Sequence, residues 1–197
     1  MHWRRRVLQA RLGCVFIIAL LLPSCAWTHY RQTRPGELKG RIIVQVLGDD
    51  QFIFMPHETD PLYFVRSDGR RIAPSRPMYT DGGSIPRFLW GFRNYSPWGY
   101  AHAFILHDWL FEAKRCHIPG YGEYTVEDAA HAMSEAMKTY IEARGKQPRE
   151  EVAVYAVFEA VRSPIARDMW DHGTCRPLPA SPEATGRVLY EYVIKFP

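Results

Sequence analysis

The segment Phe104-Ile105-Leu106-His107-Asp108-Trp109-Leu110-Phe111 constrains this chain more than any other, because six large apolar side chains enclose an adjacent histidine and aspartate. With its flanks, Trp98 to Glu112 is apolar nearly all round, which predicts a helix sunk in the core. Such a helix keeps His107 and Asp108 only if each finds a partner, since an unbonded buried polar group costs stability. Helical neighbours point about 100° apart, so the two are expected to face separate partners. One division of labour has His107 deprotonate a water, Asp108 bind a metal ion, and a third carboxylate orient the imidazole. Asp128 is the candidate for that third group. Its competing role is a capping box with Thr125 at the start of the next helix.

That next helix is predicted over Val126 to Arg144, where Val126, Ala129, Ala130, Met133, Met137, Tyr140 and Ile141 share one face. A third is expected to open at Pro148, with a core stripe at Val152, Tyr155, Phe158 and Val161. Around this helical middle the chain reads as strands. Residues 41–47 and 52–55 flank Gly48-Asp49-Asp50, and 62–66 and 70–72 flank Ser67-Asp68-Gly69, so two hairpins are expected. In residues 187–196, Val188, Tyr190, Tyr192 and Ile194 alternate as a final strand that pairs with the N-terminal ones. The fold class is α+β: a small antiparallel sheet from the N-terminal strands and the C-terminal strand, packed with a three-helix middle.

The N-terminus reads as processing signal, not fold. Basic residues, an apolar run from Leu12 to Leu22 and then Pro23-Ser24-Cys25 give a secretory layout, and Leu22-Pro23-Ser24-Cys25 resembles a bacterial lipobox. The expected organisation is a lipoprotein signal peptide at 1–24, a polar tether at 25–39 and one domain at 40–197. Cys25 is then the lipidation site, a palmitate-bearing membrane anchor, and the absence of an acidic residue after it predicts an outer-membrane lipoprotein facing the periplasm. An uncleaved anchor helix is the alternative. The net charge of +4 draws on Arg4, Arg5, Arg6 and Arg11 of the leader, so the mature chain is near neutral and a nucleic-acid partner is excluded. Cys116 and Cys175 remain for the domain, where an oxidising compartment permits them to pair.

Thr80-Asp81-Gly82-Gly83-Ser84-Ile85-Pro86-Arg87 precedes the apolar helix. Adjacent glycines let backbone groups turn toward a ligand, so Asp81, Gly82 and Gly83 could join Asp108 around a divalent cation such as calcium. A purely structural turn is the competing reading. Asp128, His131 and Glu135 share a helical face that is either a metal stripe or simply solvated. His102, His117 and His172 lack supporting spacing and read as structural or surface residues.

The Asp81–Arg87 loop, the Ala103–Phe111 helix with His107-Asp108, the Glu127-Asp128-Ala129-Ala130 helix start and Tyr155–Arg162 together resemble the bacterial and phage-associated domain of unknown function 1353. This resemblance spans roughly Ile42 to Arg162 and implies no established activity. A looser one, to the His-Asp site of secreted phospholipases A2, implies a water-activating His107, calcium on Asp108 and the Asp81–Gly83 loop, and an orienting Asp128, without the dense disulfides of those enzymes. Two functions follow as expectations. One is a lipid-anchored envelope protein with a binding, structural or exclusion-type role toward an envelope or phage component, its polar pair bonded internally to backbone, Arg87, Tyr95 or Arg162. The other is a metal-dependent hydrolase of envelope lipid or peptidoglycan. A buried network would seal both side chains; a site would open them to a cleft.

Overall fold

The computed structural model describes residues 24–47, 52–80, 97–176, 178 and 188–196. Two antiparallel sheets cover a helical layer, so the fold is α+β as the sequence predicts. One sheet joins β1 (Glu37–Lys39), β4 (Tyr63–Val65) and β5 (Arg71–Ile72) in the order β1-β4-β5. The other runs β6-β3-β2-β7, from β2 (Arg41–Leu47), β3 (Phe52–Pro56), β6 (Met78–Thr80) and β7 (Val188–Lys195). Both ends of the chain therefore meet in one sheet, with Val44 between Phe54 and Tyr192. Ile42 and Val44 point into the core at period two, and a register shift against β7 at Val46 and Leu47 hands the next inward position to Leu47.

The core lies between these sheets and α2 (Ala101–Arg115), which follows a 3-10 turn at Pro97–Tyr100. Twelve of its fifteen residues are buried, as its all-round apolarity requires. Packed against it is α3 (Val126–Arg144), whose Ala129, Ala130, Met133 and Met137 are wholly buried, with small residues allowing close approach. Its first turn is fixed by a reciprocal capping box, the Asp128 amide donating to Thr125 Oγ1 and the Thr125 amide to Asp128 Oδ2. The third helix, α4 (Glu150–Val161), starts two residues beyond Pro148. A short helix beyond the three expected, α5 (Pro164–His172), follows after one turn. Ser163 caps it and Pro164 occupies its first turn.

Residues 25–39, expected as a tether, are largely part of the fold. Residues 24–32 form a helix, α1, and β1 follows it. Ala26 and Tyr30, four apart, are buried, and His29 stacks on Phe158 with ring centroids 4.3 Å apart. Lys138 Nζ donates to the Tyr30 and Thr33 carbonyls at 2.9 and 2.8 Å, closing the end of α1 where unpaired carbonyls favour a cation. The polar composition concealed one buried stripe held by a lysine of another helix.

Candidate functional site

At the middle of α2, His107 and Asp108 face the rim of an open cleft of about 520 Å³. Thr80, the last residue of β6, donates its hydroxyl to Asp108 Oδ2 at 2.5 Å and so ties the sheet to the helix. His107 is 4% exposed, yet neither ring nitrogen has a hydrogen-bond partner. Its Nδ1 lies 3.5 Å from Asp108 Oδ1, close enough for attraction but without hydrogen-bond geometry. The imidazole packs instead against Phe111, one turn further on, at 4.7 Å between centroids.

The remaining polar groups of the cleft come from the same face of α2. Glu112 accepts from Arg76 Nη2 at 2.9 Å, which balances its charge. Arg115 lies over the Phe111 ring, 5.5 Å from its centroid, and its Nε is buried without an acceptor. Gly173 makes room for it, because a Cβ there would stand 2.6 Å from Arg115 Nε and 2.3 Å from the Met169 carbonyl. The opposite wall is apolar, formed by Ala160 and Val161 at the end of α4 and Ile165, Ala166 and Met169 of α5. Arg176 completes the rim, placed there by the disulfide between Cys116, just past α2, and Cys175.

Asp128 does not orient His107. Burial pushes its carboxyl up, but hydrogen bonds from Arg70 and Thr125 outweigh that and hold it well below the usual carboxylate range. The same carboxylate accepts from Arg66 Nη1 at 3.2 Å, so its whole capacity goes to the helix start and two arginines. Arg66 also makes a two-pronged pair with Glu135, at 2.9 and 3.3 Å. His131 packs on Phe158 at 5.1 Å. The Asp128, His131 and Glu135 stripe is thus an interface between α3 and its neighbours, not a metal site. Asp81, Gly82 and Gly83, together with Arg87 and Tyr95, lie outside the described residues. Arg162 lies near Glu127 and Glu159, not His107.

Among the described residues, the group of three ligating side chains close enough to share an ion is Glu112, Cys116 and Cys175, within 4.8 Å of one another. Its two sulfurs are bonded to each other and offer no thiolate. Of the residues expected to hold calcium, Asp108 is the one that falls among the described residues, and calcium takes roughly six to eight oxygen ligands. The sequence reading missed Thr80, Arg115, Arg176 and the α5 wall. The signal for Arg115 was there: His107, Phe111 and Arg115 recur every fourth residue and so share a face.

Residues 59–157 match the family described as "Protein of unknown function (DUF1353)", half of the chain, and the chain belongs to this family. The matched stretch contains Thr80, His107, Asp108, Phe111 and Arg115 and ends before α5 and Arg176. No curated protein and no solved structure matches the chain.

Proposed function

We propose that this is a lipid-anchored envelope protein, held to the membrane through Cys25 and facing the periplasm, whose α2 cleft binds a small molecule of the envelope. The observation that carries the binding reading is the state of His107: the residue lines the cleft, and both ring nitrogens are buried with no hydrogen-bond partner among the described residues. Buried imidazole nitrogens are in most cases hydrogen-bonded, because leaving one unbonded costs about 1–3 kcal/mol, and His107 leaves both unbonded where His102 leaves Nε2 alone. A ligand that bonds His107 recovers that cost on binding. The anchor rests on Leu22-Pro23-Ser24-Cys25 and agrees with an exposed Cys25 in the folded chain. No helix among the described residues is long and apolar enough to cross a membrane.

A second reading, hydrolysis with His107 as the base, is favoured by Asp108 Oδ1 at 3.5 Å, which would steady an imidazolium formed during proton transfer. In that reading a divalent cation on Asp108 supplies charge for the tetrahedral intermediate. The two are separated by one experiment. Native mass spectrometry of protein extracted from its own envelope should show one bound small molecule per chain, lost in His107→Leu. An adduct retained at full occupancy in that variant would refute the binding reading. Release of a cleaved product, restored by calcium after chelation, would favour the hydrolase.

A further inference from the structure

We propose that the cleft is built for a single-chain anionic amphiphile, its acidic head seated over Phe111 and its tail laid along α5. This rests on the ligand-cleft reading above and adds the chemistry of the ligand.

The charges of the cleft set the sign. Of its two carboxylates, Glu112 is neutralised by Arg76, while Asp108 accepts from the neutral Thr80 hydroxyl and keeps its charge. Arg115 and Arg176 have no carboxylate partner among the described residues. Arg115 is held in place by stacking on Phe111 and by its fit against Gly173, with Nε shielded from water. A guanidinium so fixed and unpaired is a receptor for anionic oxygens, since its planar fork matches a carboxylate or a phosphate. Side chains on a helix lean toward its N-terminus, so Arg115 reaches back along α2 toward His107. The guanidinium carbon and the imidazole stand 5.5 and 4.7 Å from the same Phe111 centroid. The two groups border the same ring, and an acidic head group at that ring meets the guanidinium of Arg115.

The shape and lining of the cleft set the rest. Val161, Ile165, Ala166 and Met169 form an aliphatic wall interrupted by Ser163, whose hydroxyl accepts from the Ala166 amide, and Ile165 is 75% exposed. A methionine-containing aliphatic surface adapts to a flexible alkyl chain. A volume of about 520 Å³ accommodates one alkyl chain and its head group. Arg176 and the α5 wall lie beyond the stretch matched by the family, so this preference belongs to the present chain's own C-terminal part.

The test is titration calorimetry of the full lipidated chain in phosphatidylcholine nanodiscs, with empty nanodiscs subtracted. Laurate and dodecyl phosphate are the anionic probes; dodecanol and dodecyltrimethylammonium are the uncharged and cationic ones. Either anion, or both, should bind at one per chain, and the tighter of the two identifies the head group. Arg115→Gln and Arg176→Gln should each weaken it about tenfold. Ile165→Asp, at an exposed position that folding tolerates, should weaken it comparably. Equal binding of dodecanol, affinity unchanged in both arginine variants, or no anion binding would each overturn the proposal. If an envelope-derived molecule is nonetheless lost from His107→Leu in the mass spectrum, the cleft reading stands and only the ligand's chemistry falls.

Discussion

At the scale of single residues, the two buried histidines of α2 show how one amino acid serves two ends. His102 is sealed between Tyr140, 5.9 Å away, and Phe196, 6.0 Å away, and burial lowers its pKa from 6.5 to about 4. It is neutral in the fold and takes a proton in the unfolded chain below pH 6.5. Stability therefore holds above that pH and is lost as pH falls toward 4. The loss at pH 5 is about 2 kcal/mol at roughly 1.4 kcal/mol per pKa unit. His29, lowered by its own burial and then by His131, adds in the same direction. Urea unfolding at pH 7 and pH 5 should show this drop in the natural chain and a much smaller one in His102→Phe. An unchanged drop would place the acid sensitivity elsewhere. His107 differs because it lines the cleft beside Asp108, packed on the single ring of Phe111.

At the scale of elements, polar links across the core decide which faces meet. Arg66, just after β4, is almost fully buried, and its bonds to Asp128 and Glu135 fasten the smaller sheet to α3. Removing one member of such a pair leaves a buried charge uncompensated, at about 3–5 kcal/mol. Arg66→Met should lower the unfolding free energy by about 3 kcal/mol in chemical denaturation, and a loss under 1 kcal/mol would mean the network is dispensable. These links also mark what the sequence could tell. The periods of β2, β3, α3 and β7 were legible because one side of each is apolar, and α2 because all of it is. α1 was not, since Ala26 and Tyr30 are two buried positions among polar ones and their partner Lys138 lies 108 residues away. Nor was the fate of Asp128: a capping box is local and readable, but the choice between His107 and two arginines depends on the packing of separate elements. α5 was readable but not read: Ser163-Pro164 marks its start, and Ile165, Ala166, Met169 and Trp170 recur at helical spacing over its two turns, of which Trp170 alone is buried.

At the scale of the whole molecule, the cleft exists because distant parts of the chain are fastened around α2. β6 supplies Thr80, the end of α4 and α5 supply the apolar wall, and the Cys116–Cys175 disulfide, spanning 59 residues, holds Arg176 at the rim. Closing a loop of that length restricts the unfolded chain by about 4 kcal/mol in the chain-entropy account. The fold thus invests in a surface that its own packing does not need. The unfolding free energy of the His107→Leu variant, by urea titration against the natural chain at pH 7, tests that claim most directly. Because the imidazole has no hydrogen-bond partner among the described residues, the account predicts stability equal to or above that of the natural chain, together with loss of the bound molecule. A fall of 2 kcal/mol or more, the signature of a broken internal network as roughly estimated for a buried polar group left unpaired, would contradict it.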